Sequence, residues 1–285
     1  MDQGPDHDHI YQFASTPAEP VYPYQRHAYQ KELGKQVALH ASVPDLGVGA
    51  PRHSLAPALS ALLWLSPATG AVETSALMRL TSNYEYRGYT LSDNRAALQA
   101  NFDAAWSSGF FIGTWVSTAD FGGADLAANP YLGIPLDLSA DWQVITSLAG
   151  YFFDDKVDNV NANYGEGALR LAYRDIGSIQ VSIAPDYYGT GETVPSYEVE
   201  LRYPLSETME VSGGLGYQAS RDALNYDNIY SNFGISWFLL PRLTLDLRYH
   251  DLHEMNEGPH EDPAAEPLSA YHLDTPVIFS VSIGL

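Results

Sequence analysis

From Val72 to Leu285 the chain alternates apolar and polar residues with a period of two, and many of the polar positions carry charge. In Thr244-Leu245-Asp246-Leu247-Arg248-Tyr249-His250, the residues Leu245, Leu247 and Tyr249 share one face, and Asp246, Arg248 and His250 share the other. The same reading gives Tyr197, Val199, Leu201 and Tyr203 against Glu198, Glu200 and Arg202, and Leu169, Leu171 and Tyr173 against Arg170, Ala172 and Arg174. A soluble sandwich or small barrel hides its apolar face inside. A membrane barrel shows that face to lipid and lines a wet lumen with the charged one. The choice between them decides what the chain can do.

Turn residues divide the stretch into about twelve strands, near 75–89, 94–106, 109–118, 125–138, 141–153, 165–175, 177–187, 194–205, 207–219, 228–239, 241–251 and 274–285. Short connections are expected near 92–94, 107–109, 139–141, 176–177, 205–207 and 240–241. Longer polar ones are expected near 119–124, 154–164, 188–193, 220–227 and 252–273. Tight turns at one end and long loops at the other are the asymmetry of an outer-membrane barrel. Strands of about ten residues also suit a tilted crossing of the hydrocarbon layer. The expected fold is therefore all-β: a single antiparallel up-and-down transmembrane barrel over 72–285. Repeated tyrosines at strand ends suit the headgroup level.

No stretch reaches the roughly 18 to 20 apolar residues of a spanning helix. Residues 51–71 instead have the parts of a secretory signal: Arg52 and His53, an apolar run from Leu55 to Leu65 interrupted by Pro57, and small residues up to a cleavage site after Ala71. Their position about fifty residues into the chain suggests a translation start near Val48, with an extended signal or a buried helix as the other readings. Residues 1–50 lack helix or strand periodicity and are expected to be disordered, because they cannot bury enough apolar area to offset ordering entropy.

The charge balance excludes some functions. With 14 basic and 35 acidic residues the formal net charge is −21, which argues against a nucleic-acid partner. The absence of cysteine excludes thiol catalysis, thiolate zinc sites and disulfides. His7-Asp8-His9, the Asp154/Asp155/Asp158 group and the acidic loop 252–273 with His253, Glu254, Glu257, His260, Glu261, Asp262, Glu266 and His272 all lack a fixed-scaffold ligand spacing. No metal or other cofactor is expected.

The segment Leu80-Thr81-Ser82-Asn83-Tyr84-Glu85-Tyr86-Arg87-Gly88-Tyr89-Thr90-Leu91-Ser92-Asp93, with Ala97-Leu98-Gln99-Ala100, Ser108-Gly109-Phe110-Phe111-Ile112-Gly113-Thr114-Trp115-Val116-Ser117 and the closing Phe279-Ser280-Val281-Ser282, resembles the TorF-type porin family. Those bacterial outer-membrane barrel proteins were first catalogued as exported proteins of unknown function. The resemblance covers roughly 72–285. It implies an outer-membrane β-barrel of a Gram-negative bacterium that acts as a channel, and it implies no particular solute. Such barrels usually end in an aromatic residue read by the barrel-assembly machinery, whereas this chain ends in Leu285.

On this reading the lumen is lined by Arg79, Glu85, Arg87, Gln99, Asn101, Asp103, Arg170, Arg174, Glu198, Glu200, Arg202, Glu210, Asp246 and Arg248. Both signs occur, so cross-strand ion pairs neutralise much of the lining. Twelve strands give a bore between filled eight-stranded barrels and open sixteen-stranded porins. The expected function is passive diffusion of small polar solutes or ions, with an acidic mouth favouring cations. Outer-membrane lipid and the assembly machinery are the expected partners, and a homo-oligomer is compatible with such a barrel. A soluble periplasmic or secreted ligand-binding barrel is the alternative. An outer-membrane lipid-modifying enzyme is a third reading, with His250, Ser231 and Ser236 as its raw material and no motif around them.

Overall fold

The alternating segments pair into a closed cylinder because each has a face that water rejects and backbone groups that only a neighbouring strand can satisfy. A computed structural model describes residues 72–255 and 271–285. The signal-like segment 51–71, the expected disorder of 1–50 and most of the acidic loop lie outside the described residues.

The strands in chain order are β1 (Val72–Thr81), β2 (Glu85–Tyr86), β3 (Tyr89–Thr90), β4 (Ala97–Trp106), β5 (Phe111–Phe121), β6 (Ala124–Asp137) and β7 (Trp142–Phe153). They continue as β8 (Tyr164–Tyr173), β9 (Gly177–Ala184), β10 (Val194–Ser206), β11 (Met209–Gln218), β12 (Asp227–Leu240), β13 (Leu243–Met255) and β14 (Val277–Gly284). All but β2 and β3 form one closed antiparallel barrel in which sequence neighbours are spatial neighbours, the expected up-and-down order. Pairing of β1 with β14, from Leu77↔Gly284 to Thr81↔Ser280, closes the cylinder.

Tight turns at 107–110, 138–141, 174–176, 207–208 and 241–242 lie at one end. The opposite end carries 82–96, 154–163, 185–193 and 219–226. Two connections differ from the sequence expectation. The one near 119–124 is not long: it is a two-residue turn at Gly122 and Gly123, whose φ values of 57° and 110° glycine adopts without strain. The first connection is not a short turn at 92–94. β1 ends at Thr81, and most of residues 82–96 fold away from the wall into the barrel, touching it at Ser82 and at Leu91–Ser92.

The cylinder is inside out relative to a soluble barrel. Leu247, Phe279 and Leu201 are 48%, 45% and 62% exposed on its exterior, whereas Arg248 and Asp246 on the same β13 are 5% and 8% exposed. Tyr197, Tyr203 and Tyr249 stand outside as well. The interior also holds an aromatic core that the alternation did not announce. Tyr84, Tyr86, Tyr89, Phe121, Tyr151, Phe153, Tyr164, Tyr187, Tyr188 and Leu224 pack together at the long-loop end, with Tyr151 stacked on Tyr164 at 4.4 Å between ring centroids.

Candidate functional site

Residues 82–96 fold into the barrel as a hairpin, and this insertion organises the lumen. β2 and β3 pair through Glu85↔Thr90 and Tyr86↔Tyr89 around a two-residue turn. Arg87 and Gly88 both have positive φ, 51° and 92°, the backbone of the tightest hairpin turn. Glycine adopts it freely; for an arginine it costs ~1–2 kcal/mol. The base is closed by a polar knot around Asn83, whose side-chain oxygen accepts from the Thr90 hydroxyl at 2.7 Å and the Ser92 hydroxyl at 3.0 Å. The Asn83 amide donates to Asn94 Oδ1 at 3.0 Å, and the Tyr84 N–H donates to Ser92 Oγ at 2.9 Å.

The tip is fixed by charge. Arg87 reaches the far wall, where its Nη1 and Nη2 donate to the two carboxylate oxygens of Glu166 on β8 at 2.9 and 3.0 Å. Its Nε donates to Glu198 on β10 at 3.2 Å, and Nη2 also donates to Ser182 on β9 at 3.2 Å. Arg87 further lies 5.0 Å from the Tyr86 ring centroid. Glu198 accepts a second set of bonds, from Gln180 Nε2 at 2.9 Å and from the Tyr230 hydroxyl. Glu85 accepts from the Gly88 N–H at 2.6 Å and faces His250 Nδ1 on β13 at 2.9 Å. A buried charge unpaired at this depth would be strongly destabilising, and each of these is paired.

Toward the tight-turn end a second polar layer coats the wall. Arg248 donates to Asn232 at 2.7 Å, to Ser212 at 2.8 Å and to Asp246 at 3.3 Å, and Asp246 also accepts from Ser236 at 2.8 Å. Arg170 and Arg202 both approach Glu200. Arg79 donates to Ser282 at 3.1 Å. Asp103 accepts from the Tyr131 hydroxyl, which in turn accepts from Asn101 at 2.8 Å. Gln99 and Glu210 are buried on the same inner face. Beside these bonds lies a cavity of about 60 Å³, lined in part by Glu85, Arg87, Glu166, Gln180, Glu198 and Tyr230.

Most residues expected on the lumen wall are thus placed inside the barrel, but three are not where the alternation put them. Glu85 and Arg87 sit on the inserted hairpin rather than the wall. Arg174 is outside the lumen: it occupies the tight turn after β8 with φ 46°, is more than half exposed, and donates to Asp141 at 2.8 Å. That bond holds the Asp141 carboxyl below the usual aspartate range. The turn begins one residue before the alternation would have ended, so Arg174 is swung out. Above the lumen, burial pushes the Tyr187 hydroxyl up to about 12, leaving it a neutral donor to Gln218.

Glu166, Ser182 and Tyr230 carry much of the network and were absent from the expected lining. Counting back by twos from Arg170 reaches Glu166, so that signal was present. The suggested serine–histidine pair does not form: Ser236 bonds Asp246, His250 faces Glu85, and Ser231 lies on the outward face between Tyr230 and Asn232. Asp154, Asp155 and Asp158 bind backbone N–H groups or the Tyr271 hydroxyl, and among the described residues no cluster of three metal-ligating side chains forms.

No curated protein matches the chain. Solved structures similar to it include a KdgM porin (10% identity, TM-score 0.46, covering 74% of this chain and 97% of that one) and a NanC porin (11%, 0.44, 73% and 97%). An outer membrane channel from Pseudomonas putida F1 is similar at 9% identity and TM-score 0.41, covering 78% of this chain and all of its own. These are channels rather than enzymes, but at such scores the barrel rests on its own strand pairing. A family model matches residues 66–257, a span holding the inserted hairpin and every strand from β1 to β13. The chain therefore belongs to the Gcw_chp family, described as bacterial proteins of unknown function.

Proposed function

We propose that the protein is an outer-membrane channel of the porin type, passing small polar solutes or ions by diffusion through a narrow charged lumen in a Gram-negative bacterium. The observation that carries this reading is the inversion of faces: large apolar side chains cover the outside of a closed cylinder, and ion pairs and carboxamides line the inside. A soluble ligand-binding barrel needs the reverse, and in water this exterior would aggregate. The proposed lining is Arg79, Gln99, Asn101, Asp103, Arg170, Glu198, Glu200, Arg202, Glu210, Asp246 and Arg248 on the wall, with Glu85 and Arg87 on the hairpin. The net charge of −21 and the exposed Asp154, Asp155 and Asp158 at the long-loop end favour cations. Outer-membrane lipid and the barrel-assembly machinery are the partners of this reading, and self-association into oligomers is compatible with it.

Purified protein in planar bilayers tests it. Discrete current steps with a reversal potential shifted toward cations in a salt gradient are expected. Silence at every voltage, from both the natural chain and a chain lacking residues 84–92, overturns the channel reading.

A further inference from the structure

The hairpin 82–96 reaches across the very lumen that the channel reading needs. Resting on that reading, we propose that this hairpin is a gate: a stopper latched across the bore by Arg87 on Glu166 and Glu198, which swings aside to let solute pass.

The barrel wall is complete without it. β1 pairs directly with β4 from Val72↔Trp106 to Thr81↔Ala97, and with β14 up to Thr81↔Ser280. Withdrawing the hairpin therefore breaks none of the β1–β4 or β1–β14 strand pairs that close the cylinder. The hairpin carries its own fold as well, in the β2–β3 pairing and the Asn83 knot, so it can move as a body hinged where the chain leaves Thr81 and re-enters at Ala97. A few backbone bonds at its base tie it to the rim, among them Thr90 N–H to the Tyr271 carbonyl and Asp120 N–H to the Leu91 carbonyl.

The contacts across the bore are of a different kind. They are side-chain bonds from one residue, Arg87, to three wall strands, and Glu85 faces His250 on a fourth. Arg87 keeps a left-handed backbone that arginine disfavours, as a residue does when its side chain is required at that one point. Ion pairs suit a latch because water replaces them on opening, whereas a seal made only of apolar contacts would be left exposed. Tyr84, Tyr86 and Tyr89 seal the sides, yet each carries a hydroxyl that water can solvate. The hairpin thus has two states available, docked on the wall carboxylates or released into the wet mouth.

The chain has no cysteine, so an engineered pair would form the sole disulfide. A Cβ added at Gly88 would lie 2.8 Å from the Cβ of Leu252 on β13, inside the roughly 3.5–4.5 Å of a relaxed disulfide and at a φ of 92°, so Gly88→Cys with Leu252→Cys closes only as the hairpin turn shifts outward, and thiol labelling confirms the bond before currents are recorded. The expected result in planar bilayers is loss of openings on oxidation and their return on reduction, with the heat-modifiable gel shift of a folded barrel kept in both states. An independent variant lacking residues 84–92, whose remaining residues still join Thr81 to Ala97, is expected to stay open with larger current steps. Equal conductance of the oxidised and reduced pair, or natural step size and open fraction in the deletion variant, overturns the gate and leaves the channel standing. Silence of both the natural chain and the deletion variant overturns the channel and the gate with it.

Discussion

Arg87, at the tip of a hairpin folded into the barrel, makes two parallel hydrogen bonds to the carboxylate of Glu166 on the opposite wall, at 2.9 and 3.0 Å. The bond spans the lumen between residues 79 apart in sequence. It makes the interior a filled, ion-paired space at the level of the hairpin tip.

Arg87→Ala would leave Glu166 and Glu198 buried with their cation gone, a loss of about 3 kcal/mol or more. Since the cylinder is complete without the hairpin, the loss should fall on the hairpin alone. Amide hydrogen exchange is expected to quicken by about a hundredfold or more at Tyr84–Leu91, while β5, β8 and β12 keep their protection. Uniform quickening through the wall strands would show that the hairpin supports the whole barrel.

Leu247 stands mid-strand on the outside of β13, beside Ile235 and Phe279 on the adjoining strands. Replacing it with arginine is expected to cost about 2–4 kcal/mol in folding into lipid vesicles, the toll of a charge near the bilayer midplane. In a soluble barrel an exposed Leu→Arg change would be close to neutral. Reversible urea titration in vesicles reads the difference.

Gly113 on β5 lets the Tyr131 ring lie flat across it, since an added Cβ would sit 2.4 Å from that ring. Gly113→Val is therefore expected to push Tyr131 off Asp103 and Asn101, destabilising the barrel by about 1–3 kcal/mol through overpacking. Urea midpoints compared with Gly284→Ala, where an added Cβ meets nothing within 4 Å, separate ring displacement from general glycine effects.

Arg174 and Arg202 make a paired test of the lumen. Arg174 lies in an outside turn with Asp141, so Arg174→Gln should leave conductance and ion selectivity unchanged. Arg202 faces Glu200 inside, so Arg202→Gln should shift the reversal potential further toward cations. The Arg174 bond lowers the Asp141 pKa, so its small stabilising effect is present above the ordinary aspartate range and fades as pH falls through the lowered value. Asp141→Asn is expected to flatten that acid limb and change little at neutral pH.

The strand count, the order of strands and the orientation of faces were legible in the sequence because side-chain direction in a strand repeats every two residues. The inserted hairpin was not, because Tyr84-Glu85-Tyr86-Arg87 continues that alternation without interruption and reads as more of β1. Two local signs pointed to it: Asn83 and Gly88 are turn formers inside a strand too long for one crossing, and a short turn at 92–94 followed by another at 107–109 breaks the alternation of ends. Glu166 was hidden by the two glycines around it, Gly165 and Gly167, which blur its place in the pattern. The aromatic core was hidden because tyrosine suits a headgroup girdle and a lumen filling equally well, and only tertiary placement separates Tyr197 outside from Tyr164 inside.

The most direct measurement is a spin-label scan of residues 245 to 250 in the membrane-embedded protein, one cysteine at a time in a chain that has none of its own. Relaxation by oxygen, which partitions into acyl chains, should peak at 245, 247 and 249 and drop at 246, 248 and 250. Peaks at those odd positions for a water-soluble relaxant instead would mean that the apolar face meets solvent, and would contradict a barrel built with its greasy side against lipid.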